Sequence, residues 1–89
     1  MRIGIVTGMV VSTQKDSRLV GSKLLIIQQT DASGNIIGKD EVAVDTLGAG
    51  VGEMVLLCSG SSAKAILNNP EVPIDLAVAG IIDTMEKNP

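Results

Sequence analysis

The chain has 89 residues, which predicts one domain over residues 1–89 with one small core. A core of this size stabilises a fold only marginally, so such chains usually depend on disulfides, a metal or partner subunits. Cys58 stands alone and histidine is absent, so the sequence offers neither an intrachain disulfide nor a structural zinc site. Partner subunits are therefore the predicted source of additional stability.

Charge and hydropathy exclude several classes of function. Hydrophobic residues make up 45% of the chain, charged residues 19%, and aromatic residues are absent. With so few charges, part of the surface is expected to meet another copy of the chain. The net charge of −3 argues against nucleic acid or an anionic membrane as the main partner. No stretch resembles a membrane span, and the N-terminus lacks the cleavage region of a secretory peptide, which predicts a cytoplasmic protein.

The first third of the chain predicts two strands. Residues 2–13 are rich in Ile, Val and Thr, and Gly4 and Gly8 interrupt them, which is typical of bends or close backbone approach in a strand. The polar residues 15–18 predict a turn. The apolar run at residues 23–29 then predicts a strand that is buried on both faces.

A hairpin loop and a third strand follow. In residues 31–35, Asp and Ser favour a turn and Gly34 can adopt a positive φ. Residues 41–45 alternate, which places Val42 and Val44 on one face of a strand. Two further strands are predicted at residues 53–59 and 76–83.

The one predicted helix covers residues 61–67, with Ser61 or Ser62 as its N-terminal cap and Pro70 beyond its end. Five short strands with a short helix after the fourth predict an all-β fold, a small five-stranded barrel that is closed or nearly closed.

The densest glycine cluster, residues 48–53, allows two interpretations. A phosphate cradle would need Gly-Lys-Ser/Thr before a helix, but residues 54–57 have the pattern of a strand. The structural interpretation is a tight connection whose backbone approaches a neighbour or a symmetry axis closely. The sequence favours the second interpretation.

Catalysis has little support in the sequence. Without histidine, the usual general base near neutral pH is missing. Most acidic residues, Asp45 and Glu53 among the candidates, are interpreted as solvated groups in loops or on an exposed face, and Cys58 as an inert core residue. We therefore predict no enzymatic activity, no catalytic or metal-binding residues and no cofactor. The alternative is an oligomeric barrel that binds a small ligand or single-stranded nucleic acid, although the aromatic platforms for base stacking are missing.

Four blocks of sequence resemble the EutN/CcmL family in their order and spacing. The first covers residues 8–15 and 19–25, and the most distinctive one covers residues 44–56. The other two lie at residues 60–64 and at 73–75 with 80–83. The resemblance therefore extends over nearly the whole chain.

This resemblance implies a barrel like those that bind oligonucleotides and oligosaccharides, assembled as a homopentamer. It implies a structural role at the vertices of bacterial microcompartment shells, such as carboxysomes or the organelles of ethanolamine, propanediol or glycyl-radical metabolism. Hexameric shell proteins would be the neighbours. Hexagonal tiles alone form a flat sheet, and a ring that closes with five-fold symmetry supplies the pentagons of a closed polyhedron.

The resemblance also implies two candidate sites. Gly48, Ala49 and Gly50 would lie at the central axis, where small residues let five backbones converge, so a bulky residue at position 49 is expected to disturb assembly and leave the fold largely intact. Ser61, Ser62 and Lys64 would form subunit contacts. The family more often has Arg at the position of Lys64, and a lysine cannot replace a bidentate arginine contact.

Overall fold

A computed structural model describes residues 1–11, 23–68, 71 and 73–86 of the chain. Five strands and one helix follow in order: β1 (Arg2–Val10), β2 (Lys23–Thr30), β3 (Ile36–Asp45), β4 (Met54–Ser59), α1 (Gly60–Ile66) and β5 (Leu76–Ile81). The end of the first predicted strand, the polar turn at residues 15–18 and Pro70 lie outside the described residues. Over the described ranges, no helix has the length and apolar character needed to cross a bilayer.

The strands close into a barrel in the order β1-β2-β3-β5-β4. Neighbouring strands are antiparallel, except that β3 and β5 run parallel and meet at the pair Val44 and Ala77. The predicted all-β five-stranded barrel is therefore confirmed.

Aliphatic side chains fill the barrel, because no aromatic residue is available to do so. All but Ala49 come from alternate positions of the strands, since successive side chains in a strand point to opposite faces. The buried core consists of Val6, Leu25, Ile27, Ala43, Ala49, Val55, Leu57, Leu76 and Val78. The alternation of β3 puts Ala43 in this core, and its neighbours Val42 and Val44 therefore share the outer face.

Gly4 shows why a glycine interrupts β1. A Cβ atom at this position would lie 2.6 Å from Cγ2 of Ile27, 3.0 Å from the carbonyl oxygen of Gln28 and 3.0 Å from Cδ1 of Leu57. The barrel interior is thus already full at this point, as the sequence pattern predicts.

The loop between β2 and β3 is the predicted hairpin turn. The Asp31 carboxylate accepts hydrogen bonds from the backbone N–H of Ser33 at 2.9 Å and of Asn35 at 3.0 Å. Gly34 has a φ of 89°, which the turn requires.

The helix begins earlier than predicted. Its N-terminal cap is Ser59, whose side chain makes no capping hydrogen bond, so the assignment of the cap to Ser61 or Ser62 is wrong. Gly60 has a φ of 61°, which turns the chain directly from β4 into α1, and its N–H donates to the carbonyl oxygen of Asp75 at 2.9 Å. Ala63 of α1 packs on Cys58 and Ala77, so α1 covers this part of the barrel wall and Cys58 is buried as predicted.

Candidate functional site

The glycine-rich segment between β3 and β4 is a loop organised by Asp45. The side chain of Asp45 is fully buried. Its Oδ1 accepts a hydrogen bond from the N–H of Leu47 at 2.9 Å, and its Oδ2 accepts from Gly48 at 3.1 Å and from Ala49 at 2.7 Å. Hydrogen bonds to a charged group contribute about 1.5–3 kcal/mol each. The interpretation of Asp45 as a solvated group is therefore wrong, because its carboxylate caps the backbone of its own loop.

Lys23 ties this loop to the start of β2. Its Nζ donates a hydrogen bond of 2.6 Å to the carbonyl oxygen of Ala49 and lies 3.8 Å from Oδ2 of Asp45. The lysine side chain is 35% exposed, so solvent screens its attraction to the carboxylate. Its main effect is therefore to fix the loop backbone at Ala49.

Glu53 organises the second half of the loop. Its Oε1 accepts from the N–H of Gly50 at 2.6 Å, and its own N–H donates to the carbonyl oxygen of Gly50 at 3.1 Å. Gly52, with a φ of 91°, donates to the carbonyl oxygen of Val6 at 2.8 Å, and Val6 donates to that of Glu53 at 3.0 Å. Residues 50–53 therefore lie alongside β1.

These contacts argue against the phosphate-cradle interpretation of the glycine cluster. A phosphate would need several free backbone N–H groups, but those of Leu47, Gly48, Ala49 and Gly50 already donate to Asp45 or Glu53. The two carboxylates would also repel an anion. Nor do Cys, Asp or Glu side chains come together in threes as a metal-binding group within the described ranges.

Ala49 points into the barrel and does not face outward from the glycine-rich loop. Its side chain is fully buried and belongs to the barrel core. A bulky residue at position 49 would enter this core, so the expectation that it would leave the fold intact is wrong. The outward-facing side chains of the loop are instead Leu47, which is 52% exposed, and Val51, which is 63% exposed. Sequence reasoning did not identify this pair.

The second predicted site lies on α1. Ser61 and Ser62 are exposed in its first turn, and Lys64 is half-buried in its last turn. The site and the loop thus occupy different elements of the barrel. The loop and the start of α1 both expose side chains that can contact another subunit, and neither brings catalytic groups together.

Comparison with known proteins identifies the family. The family model described as "Ethanolamine utilisation protein EutN/carboxysome" matches residues 1–83. The chain belongs to the EutN/CcmL family. The microcompartment shell vertex protein PduN of Salmonella typhimurium is 52% identical, over 96% of this chain and 98% of that protein. The carboxysome shell vertex protein CcmL of a Nostoc species is 51% identical, over 96% of this chain and 85% of that protein.

The solved structure of a pentameric shell protein agrees with the fold over nearly the whole chain. The pentameric microcompartment shell protein GrpN of Rhodospirillum rubrum superimposes with a TM-score of 0.88 at 43% identity, over 99% of this chain and all of that one. EutN/CcmL proteins are structural shell vertex proteins and not enzymes. This chain is accordingly a structural protein of a bacterial microcompartment shell, as its sequence blocks predicted.

Proposed function

We propose that five copies of the chain form a ring that closes a vertex of a microcompartment shell, with hexameric shell proteins around it. The observation that carries this proposal is the superposition of the entire chain on a pentameric shell protein. A cyclic ring needs a head-to-tail interface whose rotation closes after five copies. Such a ring provides the pentagon that a lattice of hexagons needs in order to curve.

The surface of the single chain supports assembly. Ten large apolar side chains in the described residues are more than 40% exposed. They are Met1, Met9, Val11, Ile36, Ile37, Val42, Leu47, Val51, Ile66 and Met85. Burying apolar surface contributes about 25 cal/mol per Å², so contact between copies would stabilise a domain whose own core is small.

Native mass spectrometry of the purified chain tests the ring, and we expect five copies. Mixing the chain with hexameric shell proteins tests the vertex. Hexamers alone should form sheets or open tubes, whereas hexamers with the chain should form closed shells visible by electron microscopy. A single chain at every concentration, or shells that close equally well without it, would contradict the proposal.

Within the ring, the loop of Gly48, Ala49 and Gly50 is the candidate for the five-fold axis. The Asp45 and Glu53 carboxylates fix its backbone, so five loops can approach each other with little loss of conformational entropy. The exposed start of α1, with Ser61, Ser62 and Lys64, is the candidate for polar contacts between subunits.

Val51→Lys is a test of the axis. If the loop surrounds the axis, this change brings five positive charges together, and we expect the ring to dissociate at low ionic strength and to re-form as added salt screens the charges. Native mass spectrometry or sedimentation at several salt concentrations measures this effect. Met85→Lys, at a side chain that is 41% exposed, is the matched control and should assemble at every salt concentration. Equal behaviour of the two variants would place the loop away from the axis.

A further inference from the structure

The outer wall of the barrel carries two separate apolar patches. Patch A comprises Ile3, Ile5, Met54 and Leu56, and patch B comprises Gly8, Val10, Ile26 and Val42. Six of these side chains point outward because strand residues next to them point into the barrel interior: Ile3, Ile5, Met54, Leu56, Ile26 and Val42. The strand register places Gly8 beside Ile26 on the same outer face, and Val10 follows two residues later on β1.

Patch A lies across β1 and β4. The strand register places Ile3 opposite Leu56 and Ile5 opposite Met54. All four side chains are half-buried, and none of them is charged. In a barrel that stood alone in water, the outward residues of these strands would normally be polar.

Patch B lies across β1, β2 and β3. The register places Ile26 between Gly8 of β1 and Val42 of β3, and Val10 lies opposite Leu24. The side chain of Ile26 leans over Gly8, since a Cβ there would lie 3.3 Å from Cδ1 of Ile26. Val42 is 44% exposed. This patch is therefore a second apolar surface, made of different residues from those of patch A.

On β1 the exposed Thr7 lies between Ile5 of patch A and Gly8 of patch B, and on β2 the polar Gln28, which pairs with Ile5, comes two residues after Ile26. A third apolar sector of the wall, at Cys58 and Ala77, is already covered by α1. Among the described residues, α1 thus covers the apolar sector at Cys58 and Ala77, whereas patches A and B remain partly exposed.

We propose that patch A of one copy packs against patch B of the next copy in the ring. This inference rests on the proposed function, since it assigns the surfaces that hold the pentamer together. A cyclic ring requires two different, complementary surfaces on each subunit, whereas a two-fold dimer requires one self-complementary surface. The core of a protein interface is depleted of charged residues, as both patches are.

The angle between the patches agrees with a ring. Five strands around a closed barrel are about 72° apart. Patch A is centred between β4 and β1 and patch B on β2, which separates their outward directions by about 108°. A five-membered ring needs about 108° between the two contact directions of a subunit, and a straight filament needs about 180°. The arrangement therefore favours a small closed ring over a straight filament.

The position of the glycine-rich loop is consistent with this arrangement. In a ring, the axis lies on the side of the subunit between its two contact surfaces, which here is the side of β1. Gly52 and Glu53, at the end of this loop, hydrogen-bond to Val6 of β1. If patches A and B form the interface, the candidate axis loop therefore lies on the side of the subunit that faces the centre of the ring. The residues of the loop are different from those of the two patches.

Charged substitutions test the assignment. Ile5→Lys disrupts patch A, Val42→Lys disrupts patch B, and Ile37→Lys, at a side chain that is 60% exposed outside both patches, is the control. We expect the first two variants to be folded by circular dichroism and monomeric by native mass spectrometry, and the control to remain pentameric. Should a lysine variant be unfolded, the smaller changes Ile5→Ser and Val42→Ser replace it. A folded patch variant that still forms rings would overturn the inference.

Mixing the two monomeric variants tests the head-to-tail pairing itself. The Ile5→Lys chain retains patch B and the Val42→Lys chain retains patch A, so the mixture can form one good interface and no ring. We expect a 1:1 dimer in the mixture, at a concentration where neither variant dimerises alone. Absence of this dimer would show that the patches do not pair. The oligomeric state of the wild-type chain separates the two proposals. If the wild-type chain is not a pentamer, the proposed function is wrong. If it is a pentamer and the patch variants also form pentamers, only the assignment of the patches is wrong.

Discussion

Asp45→Ala is expected to lower the free energy of unfolding by about 3 kcal/mol, because it removes the acceptor of three backbone N–H groups, of which that of Ala49 is buried. Water can reach the N–H groups nearer the surface, which limits the loss. Without the carboxylate, the loop should also lose its fixed conformation. Urea unfolding at one chain concentration measures the stability, since assembly makes it concentration-dependent.

Asp40→Ala is the matched control for this prediction. Asp40 is an exposed carboxylate on the same strand, and a change there is expected to alter stability by no more than about 0.5 kcal/mol. Hydrogen exchange provides a second measurement, because the amides of residues 47–49 should exchange faster in Asp45→Ala alone. Wild-type stability together with unchanged protection of these amides would show that the carboxylate does not organise the loop.

Gly4→Val is expected to cost about 3 kcal/mol or more, at the upper end of the effects of overpacking a core. Its Cβ would begin 2.6 Å from the Ile27 side chain, and the added methyl groups would press on the barrel interior. The backbone oxygen of Gln28, at 3.0 Å, cannot move aside as a side chain could. We expect a lower midpoint of thermal unfolding and a smaller folded fraction at room temperature.

Gly80→Ala shows whether the effect is specific to the crowded position. At Gly80 of β5, the nearest heavy atom to a new Cβ is Cδ1 of Leu56 at 3.6 Å, an ordinary van der Waals distance. The alanine should change the midpoint little. If Gly4→Val unfolds at the wild-type midpoint, the packing around Gly4 is looser than these distances indicate.

Composition and local pattern were sufficient to predict the elements of this fold. The β-branched runs predicted five strands, the Asp-Ser-Gly pattern of residues 31–35 predicted the hairpin, and one short segment predicted the helix. The low charge and small core predicted a dependence on partner copies, and the ordered blocks predicted the family. The strands, the hairpin and the helix depend on local propensity, and the charge and hydrophobic content are properties of the whole composition. The sequence alone is therefore enough to predict these features.

Only the tertiary structure decided which face of each strand is the interior. In a barrel whose outer wall is also apolar, alternation separates two faces but does not say which one is inside. Ala43 packs inside the barrel, whereas Val42 and Val44 lie on the outer face, where Val42 is 44% exposed and Val44 is buried. The burial of Asp45 and Ala49 depends on how the loop folds back on the barrel and on Lys23, which is 26 residues from Ala49 in the chain. Both patches likewise exist only through the register that aligns distant strands, and no local pattern contains that register.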